Sequence, residues 1–162
     1  AIDMLARRGH EVVAFTRKQQ AAALLKELGA SDVRVFEASS RPLEAEHWAG
    51  AIDNVGGEVL STLIRSTKGW GSVAAVGLAG GAELSVSLMP FLLRGVNLLG
   101  VNSAATRRDK RELLWRRIAT DLAPRHLDRI ATATIGLEEL PGACEKILSG
   151  AHIGRTLVKV RA

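Results

Sequence analysis

Tyrosine is absent from the 162 residues, and Cys144 is the single cysteine. No phenolic acid can therefore come from this chain, and a lone thiol permits neither an internal disulfide nor a cysteine-built zinc site. The default expectation for Cys144 is a buried, inert side chain. The four histidines, His10, His47, His126 and His152, have no metal-ligand spacing, and no serine stands in a nucleophile-elbow pattern. No apolar run reaches the roughly 18 residues needed to span a bilayer, and residues 1–15 lack the basic start and apolar stretch of a secretory signal. These absences point to a cytoplasmic protein without a membrane partner.

What is present suits one domain with a core. Hydrophobic residues make up 47% and charged residues 24% of the chain, too mixed a composition for disorder. The formal charge of +5 favours an anionic partner, but a nucleotide, a CoA ester and a nucleic acid all fit it. Charge alone excludes none of them.

Apolar periodicity and glycine stops predict alternating helices and strands. Residues 1–8 read as the end of a helix stopped by Gly9, and Glu11 to Phe15 as a buried strand. Lys18 to Leu28 reads as a helix closed by Gly29, and Asp32 to Phe36 as the next strand. A polar loop from Glu37 to Glu46 leads to a strand from Ala49 to Val55, then a helix from Glu58 to Ser66. Further strands are predicted at Gly71 to Val76, Val96 to Val101, Ala131 to Ile135 and Arg155 to Val160. Helices are predicted at Met89 to Arg94, Arg107 to Leu122 and within Leu137 to Ser149.

Strands that alternate with helices and are mostly apolar throughout indicate a doubly wound α/β fold, a parallel sheet covered on both faces. In the order 3-2-1-4-5-6, the strand before the first helix is central. Residues 1–8 have no such strand ahead of them. A vacancy there would leave buried backbone groups unpaired at about 1 to 3 kcal/mol each. The expectation is that a first strand and its phosphate-binding loop lie upstream of Ala1.

Several segments carry candidate chemistry. Thr16, Arg17 and Lys18 directly follow the predicted second strand of such a fold, where an NAD-specific domain places a carboxylate for the ribose 2′-hydroxyl. Basic residues there accommodate a 2′-phosphate, which favours NADPH. The alternative is local: Thr16 with Gln19 fits a capping box, and the two cations are then merely solvated. Gly69 to Ala74 matches G-x-G-x-x-A literally, but that fingerprint must follow a strand and open a helix, and here a strand follows. Gly77 to Gly81 and Val101 to Ser103 lie at carboxyl ends of predicted parallel strands, where open α/β sheets bind ligands, although simple turns are an equal reading. Asp53 either faces the ligand or caps the next helix. The basic helix with Arg107, Arg108, Lys110, Arg111, Arg116 and Arg117 is the one argument for nucleic acid, but Asp109, Glu112 and Asp121 dilute it, and a solvated face is the preferred reading.

The strings EVVAFTRK, LGASDV, RPLEAEHWAGAIDNVGG, VAAVGLAGG, MPFLLRGVNLLGVNS and GRTLVKV resemble the zinc-free quinone-oxidoreductase branch of the medium-chain dehydrogenase/reductase superfamily, most closely its NADPH-dependent acryloyl-CoA reductases. The likeness covers nearly the whole chain, in order. It implies a Rossmann-type NADPH-binding domain over residues 1–122, incomplete at its N-terminus. Residues 123–162 would finish that domain and return to a second, GroES-like catalytic domain. Carried over by position, Thr16, Arg17 and Lys18 would meet the adenosine 2′-phosphate, and Val55 and Gly56 would line the cofactor groove. Leu78, Ala79, Asn102 and Ser103 would approach the nicotinamide, and Arg155 would face the cofactor near the domain junction. Relatives have a glycine-arginine pair where this chain has Arg17 and Lys18. The implied reaction moves hydride to the β-carbon of an α,β-unsaturated thioester, with protonation at the α-carbon, or reduces a quinone-like substrate. It names no catalytic residue in this chain and needs no metal.

Two other functions remain open on the sequence: a non-catalytic NADPH-binding protein on the same scaffold, and a basic nucleic-acid binder. The segment Val96 to Val101 could be an exposed edge that pairs with a second subunit.

Overall fold

The computed structural model describes residues 1–160. Along them run α1 (Ile2–Arg7), β1 (Val13–Phe15), α2 (Ala22–Glu27), β2 (Asp32–Arg34), β3 (Trp48–Asp53), α3 (Gly57–Arg65), β4 (Thr67–Ala75), α4 (Met89–Arg94), β5 (Asn97–Gly100), α5 (Arg108–Ala119), α6 (Leu127–Ile130), β6 (Ala131–Gly136), α7 (Leu140–Leu148) and β7 (Arg155–Lys159). The alternation is the expected one, and every strand pairing is parallel. Parallel neighbours need crossover connections, and helices supply them.

The strands pair in three groups, β1-β2, β3-β4-β5 and β6-β7. The chain divides into two compact units, one of residues 36–111 and one formed by Ala1–Val35 with the chain from Glu112 onward.

In the unit of residues 36–111, α3 carries Val59, Leu60, Leu63 and Ile64 at helical spacing, with Glu58 in its first turn and Arg65 in its last. Leu60, Leu63 and Ile64 pack with Val73 of β4 and with Val96, and Ile64 and Val73 are wholly excluded from solvent. Burying side chains of this size is worth about 1.5 to 3 kcal/mol each. The helix stops at Ser66, whose hydroxyl bonds back to the Thr62 carbonyl at 2.8 Å. In β4 the segment 68–71 bulges out of register with β3, and Trp70 takes the left-handed conformation at φ 62. The literal glycine fingerprint at 69–74 therefore lies inside a strand, as its context predicted.

Two arginines, Arg65 buried and Arg94 half-buried, tie the irregular segment 37–46 to this core. Arg65 donates to the Ser39 and Ser85 carbonyls and to Glu58, and Arg94 donates to the carbonyls of Arg65, Thr67 and Glu44. Sheet coverage is less complete than the apolar strands predicted. All four residues of β5 are exposed, because its only strand partner among the described residues is β4. Cys144 is also exposed rather than buried, since α7 carries no buried residue.

In the other unit, β1 and β2 run in register from Val13 opposite Asp32 to Phe15 opposite Arg34, and β6 pairs with β7 across α7. The four-residue helix α6 was not foreseen. Its N-terminus is held by Asp3 of α1, which is 4% exposed and accepts the His126 N–H at 2.9 Å. Burial alone would raise the Asp3 carboxyl, but the backbone N–H groups of His126 and Arg125 and the His126 ring outweigh it and hold the group below the ordinary carboxylate range. A carboxyl depressed on folding contributes stability that is fully present above its unfolded value of about 4 and is lost as pH falls through the lower folded value. Wild-type protein should therefore lose more of its urea midpoint than Asp3→Asn does between about pH 6 and about pH 3. At neutral pH the variant should be about 1.5 to 3 kcal/mol less stable. Equal acid sensitivity in the two proteins would remove Asp3 as a cause.

Candidate functional site

Because β3, β4 and β5 are parallel, their carboxyl ends, Asp53, Ala75 and Gly100, share one edge. The segments leaving that edge contain six of the ten candidate residues. Asp53, 2% exposed, accepts the Val55 N–H at 3.2 Å on one carboxylate oxygen and the Gly56 N–H at 2.7 Å on the other. Its carboxylate is thereby committed to the turn ahead of α3, whose N-cap is Gly56 with no side-chain cap.

The glycines at this edge are explained first by chain packed on chain. Gly56, at φ 75, bridges Gly81, and a methyl group on it would stand 2.4 Å from the Gly81 carbonyl oxygen and 3.0 Å from the Leu78 Cα. A methyl group on Gly77 would meet the Asn54 carbonyl oxygen at 2.5 Å, and the Gly80 N–H donates to the Val55 carbonyl at 2.7 Å. This contact brings Val55, Gly56, Leu78 and Ala79 together. It leaves Val55 37% and Leu78 67% exposed as an apolar lip.

At the end of β5, the Val101 N–H continues the ladder to the Ala75 carbonyl at 2.9 Å. Asn102 then turns the chain, its side-chain oxygen accepting the Ala105 N–H at 3.0 Å, and Arg111 donates to the Ser103 carbonyl at 2.8 Å. An open recess of roughly 500 Å³ is lined by residues 100–104, including Asn102 and Ser103.

The other four candidates lie in the second unit. Thr16, just past β1, donates its N–H to the Arg34 carbonyl at 2.9 Å. Its hydroxyl oxygen accepts the Lys18 N–H at 3.0 Å. The capping box with Gln19 does not form, because residues 19–21 make a 3-10 turn whose N-cap is Lys18, with no side-chain cap. Arg17 is exposed and has no hydrogen bond or ion pair among the described residues. Lys18 Nζ reaches the His152 carbonyl at 2.6 Å, a contact across 134 residues that no sequence pattern announces. Arg155 opens β7, exposed, opposite Ala131.

The basic helix α5 is laced with its own acids. Arg107 pairs with Asp109 at 3.2 Å, and Arg117 with Asp121 at 2.8 Å. The Arg117 guanidinium in turn holds the Asp121 carboxyl below its ordinary range. Leu113 and Leu114 on the same helix are 52% and 42% exposed. Among the described residues no group of three or more His, Cys, Asp or Glu could hold a metal ion, and no helix is long and apolar enough to cross a membrane.

The chain belongs to the family described as zinc-binding dehydrogenase, whose sequence profile matches residues 1–120. It is 45% identical over 167 residues to the acrylyl-CoA reductase AcuI of Ruegeria pomeroyi, covering 100% of this chain and 50% of that protein. The crystal structure of Bacillus subtilis yhfP with NAD bound matches with a TM-score of 0.94 at 41% identity, over 99% of this chain and 50% of that one. The structure of Escherichia coli YHDH with bound NADPH matches with a TM-score of 0.93 at 43% identity, over the same shares. The chain thus spans about half the length of these relatives. The parallel α/β fold and the family expected from the sequence both hold. The family's description mentions zinc, yet the donors a zinc site needs, three or four His, Cys or carboxylates together, are not assembled among the described residues.

The Gly56 geometry is directly testable. That backbone conformation is essentially open to glycine alone, and any Cβ also collides with Gly81. Gly56→Ala should cost about 2 to 4 kcal/mol in urea unfolding, from strain plus overpacking. Gly142→Ala, inside α7 with nothing within 4 Å, should be neutral or stabilising. Equal behaviour of the two variants would refute the close packing.

Proposed function

We propose that this chain forms the nucleotide-binding part of a zinc-independent, NADPH-dependent oxidoreductase that reduces an activated C=C bond, in acryloyl-CoA or a related enoyl thioester, or in a quinone-like substrate. The observation that carries the reading is the turn after β1, where an exposed Arg17 with no partner among the described residues stands beside Thr16 and Lys18 and no carboxylate occupies residues 16–18. A planar guanidinium suits a phosphate better than a ribose hydroxyl. The relatives crystallised with NAD and NADPH, and the relative named an acrylyl-CoA reductase, support the cofactor class and the substrate class.

In this reading Thr16, Arg17 and Lys18 form the turn at the 2′-phosphate end. Val55, Gly56, Leu78, Ala79, Asn102 and Ser103 line the groove toward the nicotinamide, and Arg155 faces the cofactor where the chain returns to a second domain. The cofactor supplies the hydride when bound, and this chain's residues bind it, orient it and screen it from water. The exposed apolar Val55 and Leu78 offer a surface for an aromatic ring, and the turn at Asn102 offers main-chain polar groups beside it. The reading places the enzyme in the cytoplasm, and it gives neither nucleic acid nor membrane a role.

Full-length protein should oxidise NADPH in the presence of acryloyl-CoA, with NADPH favoured over NADH by about tenfold or more. Added zinc or a chelator should change the rate by less than about twofold, since metal-dependent catalysts lose far more. Tight NADPH binding with no turnover on enoyl-CoA esters, enones or quinones would leave a binding protein instead. A strong NADH preference would remove the phosphate site.

The open edge of β5 also suits pairing with a second copy of the chain. Sedimentation should show a dimer that Leu98→Pro, which removes an N–H on the open edge and not one in the β4 ladder, shifts toward monomer. An unchanged dimer would place the interface elsewhere.

A further inference from the structure

Thr16, Arg17 and Lys18 are adjacent in sequence, but their surroundings differ. Lys18 has both its nitrogens engaged inside the protein: its N–H donates to the Thr16 hydroxyl oxygen at 3.0 Å and its Nζ to the His152 carbonyl at 2.6 Å. Arg17 is exposed and has no partner among the described residues. The segment Lys18 reaches is a shaped one. It runs from Gly150 at φ 74 to Gly154 at φ 81, and the His152 N–H is itself bonded to the Lys146 carbonyl at 3.1 Å. The His152 ring nitrogen Nε2 lies 3.0 Å from the Gly154 carbonyl. A methyl group on Gly154 would stand 2.4 Å from Thr132, so the main chain there lies close against that residue. Arg155 follows immediately as the first residue of β7.

We propose that the two cations divide the work: Arg17 takes the anionic group, while Lys18 is a positioning residue, a strut that sets the 150–154 loop, and with it Arg155, against the turn after β1. This rests on reading that turn as the 2′-phosphate site. The physical basis is donor geometry. A guanidinium offers several donors in a fixed plane to one phosphate, whereas an ammonium is a point donor, and this one is aimed at a main-chain carbonyl. An irregular loop with few partners of its own gains order from such a bond.

Dissociation constants for NADPH and NADH in full-length protein separate the roles, alongside amide hydrogen exchange across residues 150–154. Arg17→Gln should weaken NADPH by about tenfold or more while leaving NADH within about twofold, the loss of a charge-assisted contact. Its loop exchange should match wild type. Lys18→Met should speed exchange across residues 150–154 and weaken both cofactors together, keeping the NADPH-to-NADH ratio within about twofold, because no phosphate contact is removed. Lys18→Arg, which keeps a donor of similar reach, should restore exchange protection and affinity. If Lys18→Met erases the NADPH preference as Arg17→Gln does, or leaves loop exchange unchanged, the division of roles is wrong. A wild-type protein that does not distinguish NADPH from NADH would instead sink the phosphate site itself, and the exchange data would still decide the strut.

Discussion

The contact between the Gly56–Gly57 turn and the 77–81 segment is the constraint from which the rest of the carboxyl edge follows. Two backbone segments can approach as closely as Gly56 and Gly81 do only where neither carries a Cβ in the gap. That approach fixes the entry to α3, which then lays Leu60, Leu63 and Ile64 onto β4. It also commits Asp53 to the backbone and turns Val55 and Leu78 outward. Core packing and an exposed apolar lip thus arise from one piece of local geometry.

Irregular segments of this protein are held by side chains that donate to or accept from the main chain. Arg65 and Arg94 secure residues 37–46, Asp3 secures the approach to α6, and Lys18 secures the loop before β7. Each bond satisfies a backbone group that no helix or ladder reaches, and it adds to the ion pairs that Arg65 makes with Glu58 and Arg94 with Glu46. Surface ion pairs such as those along α5 do less, since solvent and salt screen them.

Much of the architecture was legible in the sequence because it is written in local spacing. The apolar stripe of α3, the glycine stops at Gly9 and Gly29 and the Val-rich run in β4 each act within one or two turns of chain. The misses share a cause as well. The exposure of Cys144, where a buried thiol was expected, depends on what lies across from it. For Thr16 the sequence offered a capping box with Gln19 beside the phosphate reading, and the 3-10 start at Gln19 removes the capping box.

By itself the sequence determined the order and type of most elements and the parallel α/β class, since hydrophobic periodicity and turn chemistry are properties of neighbours along the chain, while the family followed from resemblance. Only the tertiary structure decided that Asp53 serves a turn, that the glycines pack on one another, and that Lys18 is engaged while Arg17 has no partner among the described residues. Those outcomes depend on groups brought together from distant parts of the chain, across 134 residues in the case of Lys18 and His152. No local pattern encodes such a meeting.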